Sequence, residues 1–285
     1  MGSEKQIALV TGASSGIGRE TAIKLAGEGF QIIAVARRRE RLLELANQIQ
    51  GINPKEMDLS KPEDVEKLCT EILALKEPIT VLINNAGYSV RGGLEDVSME
   101  AVRRIFQVNL FSMMRITQAC LPGMRKLRKG TIINISSAVG KFTFPLGGVY
   151  ASTKHAVEAI TDALRMEVRP FGIRAVAIRP GVIGTEFNEA ANQITGDLFA
   201  RTDPDYKSLY EASALSLGTF FSSISIPGPD IVADTILEAV LSDSPKAVYC
   251  AGPIVEEFLE KRSQLNDDEF DRFMAEKTGL FDLRV

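Results

Sequence analysis

Val10-Thr11-Gly12-Ala13-Ser14-Ser15-Gly16-Ile17-Gly18 follows the short apolar run Ile7 to Val10 and leads into a segment of helical period at roughly 17–28. Glycine lets the backbone turn sharply and lets a ligand come close, because no Cβ stands in the way. The amides and dipole at the start of the next helix then favour an anion such as a pyrophosphate. Gly12, Gly16 and Gly18 are spaced GxxxGxG rather than as the commoner GxGxxG fingerprint. An ordinary strand-to-helix turn can carry the same glycines, so the surroundings must decide.

Further apolar or β-branched runs stand at Ile32 to Ala36, Ile79 to Ile83, Thr131 to Ile135, Ala175 to Ile178 and Ala247 to Cys250. Segments of helical period separate them, at roughly 39–50, 61–76, 99–127, 150–169 and 230–242. Strands apolar on both faces that alternate with helices predict a parallel sheet covered on each side, a doubly wound α/β fold in one domain. Ligands of such folds bind beyond the carboxyl ends of the strands. Two stretches depart from the alternation. Residues 186–228 read as long and irregular, either a substrate-binding lid or a pair of small surface helices that cover the core. Residues 254–276 read as one or two helices with Phe258, Leu259, Phe270 and Phe273 on an apolar face. They begin a C-terminal extension (254–285) expected to dock on the body or on another subunit.

Composition narrows the function. The 285 residues are 45% hydrophobic and 25% charged, with a net charge of -4, which provides no broad basic surface for nucleic acid. No run reaches the roughly 18 apolar residues of a membrane span, and the N-terminus leaves no room for a secretory signal. One histidine, His155, and three scattered cysteines, Cys69, Cys120 and Cys250, speak against a metal site, a Ser-His triad or a disulfide framework. A cytoplasmic, metal-free protein is expected, without nucleic-acid or membrane partners.

The second strand ends at Ala36, where a dinucleotide fold preferring NAD would place Asp or Glu. Arg37, Arg38, Arg39 and Arg41 follow instead. Cations at a helix N-terminus oppose the dipole by roughly 0.3–1 kcal/mol each. Such a run is either a solvated basic helix start or, as expected here, a receptor for an anion. Arg37, with Arg38, is expected to grip the 2′-phosphate of NADP(H) through its planar fork. Asp58-Leu59, after the third strand, either meets the adenine or caps a helix.

Tyr150 and Lys154 stand at i and i+4 on a helix that begins near Tyr150, so they share one face. A free tyrosine has a pKa of about 10, and an ammonium ~4 Å away contributes about 4 kcal/mol at a dielectric of ~20. That predicts a phenol lowered enough to exchange protons near neutral pH. Ser136 and Ser137 end the strand Ile132-Ile133-Asn134-Ile135. Ser137 can therefore reach the same cleft and hydrogen-bond a substrate carbonyl oxygen, or else merely turn the chain. Phe142, Phe144, Leu146, Leu215, Leu217, Phe220 and Phe221 suggest a greasy pocket for a hydrophobic substrate.

In order along the chain, TGASSGIG at 11–18, Asn84-Asn85-Ala86-Gly87, Asn109, Ser137, the YxxxK of Tyr150 to Lys154 and Arg179-Pro180-Gly181 resemble the short-chain dehydrogenase/reductase family. The resemblance covers about 175 residues, from 11 to 185, and as a joint pattern it is specific. It implies a Rossmann-type domain that moves a hydride between NAD(P)(H) and an alcohol or carbonyl. It further implies that Tyr150 is the acid/base and that Lys154 lowers its pKa and holds the nicotinamide ribose. Ser137 would polarise the substrate oxygen, and Asn109 would anchor a proton-relaying water, although an Asn there could also bond a backbone carbonyl at a kink. Gly12, Ser14, Ser15, Gly16, Ile17 and Gly18 would receive the pyrophosphate. Asn85, Ala86 and Gly87 would line the adenosine side, and Pro180, Gly181, Val182 and Thr185 the carboxamide. A homodimer or homotetramer is implied as well. A contrasting reading, an NADPH-binding sensor with little turnover, has no use for a complete Asn-Ser-Tyr-Lys set. His155 is expected to serve structure.

Overall fold

Alternate residues of the first strand, β1 (Ile7–Thr11), are buried against opposite helical layers: Ala8 and Val10 on one side, Leu9 on the other. The computed structural model describes residues 6–222 and 224–278, apart from the side chains of Ala190, Leu217, Phe220 and Phe221. The same two-sided burial recurs in β2 (Gln31–Ala36), β4 (Ile79–Asn84), β5 (Gly130–Ile135) and β6 (Ile173–Pro180). With β3 (Ile52–Glu56) and β7 (Val248–Ala251) they pair in parallel in the order β3-β2-β1-β4-β5-β6-β7. Helices α1 (Gly16–Gly27), α2 (Arg39–Gln48) and α9 (Asp230–Leu241) cover one face. Helices α3 (Pro62–Leu73), α5 (Ser112–Leu127) and α6 (Gly148–Val168) cover the other. This is the doubly wound, Rossmann-type single domain that the apolar runs predict. Among the described residues no helix is long and apolar enough to cross a membrane.

Three elements differ from expectation. β3 is absent from the apolar runs because it is an edge strand, Ile-Asn-Pro-Lys-Glu, paired to β2 alone. Its half-exposed position tolerates charge and the missing N–H of Pro54. The helix read across 99–127 is broken: α4 (Met99–Phe106) passes into a π-helical stretch, Gln107–Phe111, before α5. One residue more per turn there leaves the apolar period almost unchanged, which hides it from the sequence. Residues 186–228 are not irregular; they hold two helices, the second of the two readings, α7 (Glu186–Phe199) and α8 (Pro204–Ser222). Long-range bonds fix these helices: the Tyr210 hydroxyl donates to Asp96 Oδ2 at 2.6 Å and accepts from the Gly93 amide at 2.7 Å. Thr202 donates to the same carboxylate at 2.8 Å.

The C-terminal segment forms α10 (Val255–Gln264) and α11 (Asp267–Lys277), the latter started by a capping box between Asn266 and Glu269. Phe142 of the body stacks on Phe258 at 5.3 Å and meets Phe270 at 6.1 Å, so the extension docks on the body. Its residues 279–285 lie outside the described residues. Beneath the site, a buried polar ladder ties strands to helices. Asn84 Nδ2 donates to Asn134 Oδ1 (2.8 Å) and Thr117 Oγ1 (3.1 Å), and Asn134 Nδ2 donates to Thr161 Oγ1 (2.9 Å).

Candidate active site

Strand order reverses at β1, with β2 on one side and β4 on the other, and a crevice opens beyond their carboxyl ends. A cavity of about 870 Å³ fills it. Gly12 (φ +70) and Gly16 (φ +54) take the left-handed backbone that turns β1 into α1. Ser14, Ser15 and Ile17 join these two glycines in the wall, but Gly18 does not. Gly18 serves packing: a Cβ there would stand 2.5 Å from the Gly12 carbonyl oxygen. Ser15 caps α1 without a side-chain bond and no acid occupies the first turn, so that turn's amides remain available to an anion.

Asn85 spends its side chain on the chain itself, donating from Nδ2 to the Thr11 carbonyl at 2.9 Å. Its backbone amide and that of Ala86 donate to Thr11 Oγ1, each at 3.0 Å. Asn85, Ala86 and Gly87 thus hold the glycine loop while lining the cavity. Pro180, Gly181, Val182 and Thr185 line its other side, with Thr185 packed 3.2 Å from the Cβ position of Gly16.

The arginine run divides its work. Arg38 donates from Nε to Ser14 Oγ (3.2 Å) and from Nη2 to Ser15 Oγ (2.6 Å), bracing the glycine loop. Its Nη1 and that of Arg41 both reach the Glu186 carboxylate, at 2.6 and 2.5 Å. Arg37 lines the cavity beside Asp58 and Leu59. Asp58 is not the cap of α3, a position held by Lys61; it closes its own turn by accepting from the Ser60 amide and hydroxyl. Burial opposes its ionisation, but these bonds and the nearby Arg37 hold its carboxyl below the usual range.

β5 and α6 bring the remaining expected groups together. Ser137 follows β5 and lines the cavity with Tyr150, which lies on the first turn of α6 and whose ionisation Ser137 favours. Lys154, one turn further, is buried and donates to the Ile135 carbonyl at 2.7 Å. Ser137, Tyr150 and Lys154 all face the cavity, whereas Asn109 sits behind it. Asn109 Nδ2 donates to the Tyr88 carbonyl (3.0 Å) and Thr153 Oγ1 (3.1 Å), and its Oδ1 accepts from the Tyr88 amide (3.0 Å). A small hollow of about 10 Å³, lined by Asn84, Asn109 and Lys154 among others, adjoins it. Asn84 Oδ1, buried there, has no hydrogen-bond partner. His155 bonds the Ala151 carbonyl at 3.0 Å within its helix, as a structural residue does.

The expected lowering of the tyrosine by the lysine is not what this arrangement gives. Burial pushes Tyr150 up to about 12, against the opposing help of the Ser137 hydrogen bond and the Arg91 charge. Burial also pulls Lys154 down to about 8, with Glu158 acting to raise it. The Lys154 ammonium lies 5.8 Å from the centroid of the Tyr150 ring and is engaged with a backbone carbonyl rather than with the hydroxyl. In a dry site the desolvation of a phenolate outweighs a cation held to the side.

Several wall residues carried no signal in the sequence reading. Behind the wall, Glu158, one turn beyond Lys154, accepts both Nε (2.9 Å) and Nη2 (2.6 Å) of Arg179. Phe187 rests 5.7 Å from the Tyr150 ring, so α7 walls the cavity. Ile254, Phe258 and Met274 bring the C-terminal extension into the same wall. Arg91, the only charged residue between Tyr88 and Gly93, enters it as well. Of the residues proposed for a greasy pocket, Phe142 and Phe144 line the cavity but Leu146 does not. Leu215 is 75% exposed, on the outward side of its helix. The side chains of Leu217, Phe220 and Phe221 lie outside the described residues.

The family described as short chain dehydrogenase matches residues 6–195. YbbO, an uncharacterized oxidoreductase of Escherichia coli (strain K12), is 34% identical over 242 residues, 85% of this chain and 83% of that protein. Among solved structures, a short-chain dehydrogenase from Streptomyces avermitilis superposes with a TM-score of 0.75 at 27% identity, covering 98% of each chain. Another, from Sphingobium yanoikuyae in complex with NADPH, gives 0.72 at 25% identity over 98% of this chain and 96% of that one.

Proposed function

The chain belongs to the short-chain dehydrogenase family of oxidoreductases, and on that premise we propose that it interconverts a carbonyl compound and a secondary alcohol with NADP(H), using Tyr150 as proton donor. The observation that carries this reading is the meeting of Tyr150, Ser137 and Lys154 in the cavity that also receives the glycine loop. The uncapped first turn of α1 fits a pyrophosphate, and Arg38 with Arg37 fits a 2′-phosphate. Bound there, the reduced cofactor supplies a hydride to the carbonyl carbon.

Ser137 then donates a hydrogen bond to the carbonyl oxygen, and Tyr150 protonates it as it becomes an alkoxide. An alkoxide is about as basic as hydroxide, whose parent water has a pKa of about 15.7. A phenol held at about 12 therefore still gives up its proton downhill. The phenolate left behind is favoured by the Arg91 charge, and Lys154, one turn along α6, would return a proton to it. The hollow between Asn109 and Lys154 is the size of one water, and the unpartnered Asn84 Oδ1 supplies it with an acceptor.

Tyr150→Phe tests the assignment. NADPH binding should persist while turnover of a ketone falls by at least about 10²-fold, the scale of a lost general acid. Turnover near the wild-type rate would refute it. Titrations with NADPH and NADH test the cofactor, and equal affinities would remove the role given to Arg37 and Arg38.

A further inference from the structure

We propose that Arg91 receives a carboxylate of the substrate, so that the carbonyl compound turned over here is an oxo acid with an apolar body. This deepens the oxidoreductase reading and rests on it. Arg91 is half-buried and lines the cavity, yet its Nε is wholly buried and has no hydrogen-bond partner. Among the described residues its one hydrogen bond runs from Nη2 to Asn188 Oδ1 at 3.5 Å, the limit of such a bond. No carboxylate of the described residues forms an ion pair with it.

The contrast with Arg179 is instructive. That guanidinium has its structural counter-charge built in, as a bidentate bond to Glu158. A buried cation without one is costly, and a folded chain that keeps it in a binding cavity leaves the pairing to a ligand. A guanidinium presents two parallel donors, the complement of a planar carboxylate. Arg91 and Tyr150 line the same cavity, so the carboxylate would share it with the reacting oxygen. Val90, Val139, Phe142, Phe144, Phe187 and Ile194 line the same cavity and suit an alkyl or aryl body.

Calorimetric titration of the NADP⁺-loaded protein with octanoate and with octanamide, equal in length and differing in charge, tests this. The expected result is a preference for octanoate of about 10- to 100-fold, the range of one charge-assisted bond. Arg91→Leu should bind the two alike, and Arg91→Lys should keep part of the preference. Equal binding by the wild type, or an undiminished preference in a folded Arg91→Leu, would overturn the proposal. So would a leucine variant that keeps the preference and alters only the pH profile of turnover on a neutral ketone, since Arg91 would then act through Tyr150. Tyr150→Phe separates the two readings: it should retain the octanoate preference while losing turnover. A catalytically competent Tyr150→Phe would sink the oxidoreductase mechanism and leave the anion site standing.

Discussion

Replacing Lys154 with methionine should make the protein's stability less dependent on pH, and the size of the change follows from the site. Burial takes this lysine from its ordinary 10.5 to about 8. Below pH 8 the native and the unfolded chain both hold the proton, and the native state carries the full penalty of a buried ammonium, about 3 kcal/mol. Between pH 8 and 10.5 the unfolded chain still binds the proton and the native chain has released it, so stability rises with pH. Lys154→Met removes the titration and also orphans the Ile135 carbonyl, a loss of about 1–3 kcal/mol that does not vary with pH.

The difference in unfolding free energy, wild type minus variant, should therefore climb by about 2 kcal/mol from pH 7.5 to 9.5. Urea denaturation followed by far-ultraviolet circular dichroism measures it, since the chain has no tryptophan. The range stops at 9.5 because above it the unfolded chain's lysine, with its ordinary value of 10.5, begins to release its own proton and the difference levels off. A flat difference across the range would mean that Lys154 is not desolvated, and the account of the proton path would fall with it.

Gly18→Ala should push the Gly12 carbonyl out of place, weakening NADPH binding at least tenfold and costing about 1–3 kcal/mol in urea unfolding. Asn134→Ala should remove one buried hydrogen bond each from Asn84 and Thr161 and lower unfolding free energy by about 2–4 kcal/mol with little change in cofactor affinity. Glu186→Gln frees Arg38 and Arg41 from a half-exposed carboxylate, so NADPH should bind about two- to fivefold more tightly. The same titration with NADH should show little gain, because NADH brings no 2′-phosphate.

The parts legible in the sequence are those that depend on neighbours along the chain. Apolar runs revealed every strand except β3, whose polarity reflects its edge position, a property of the assembled sheet. The glycine loop and the Tyr150–Lys154 spacing were readable because turn geometry and helix periodicity are local. The sign of the Tyr150 perturbation was not, since it depends on how much of the chain closes over the phenol, and that includes Phe187 some forty residues away. Arg91 escaped for the same reason. In the sequence it looks like a solvated loop residue, and only packing removes its water and its partners. The π-helical stretch at Asn109 changes the register of one turn, which apolar periodicity cannot resolve.

Three cations that line the cavity, Arg38, Arg91 and Lys154, and one that does not, Arg179, differ in what they have for counter-ions. Arg179 is joined to Glu158 in a bidentate pair with the carboxylate 2% exposed, and breaking such a pair leaves a buried charge behind. Arg38 shares Glu186 in a pair that is 42% and 45% exposed, worth at most about 1 kcal/mol and so readily exchanged for a phosphate. Lys154 is held by a carbonyl, a neutral partner, which leaves its proton mobile. Arg91 has no counter-ion among the described residues. Ordered this way, the four run from fixed structure through exchangeable cofactor contact and proton carrier to open receptor. The order carries its own check: raising the salt concentration should weaken NADPH binding at Arg38 and leave the Arg179–Glu158 pair, and the stability that depends on it, nearly untouched.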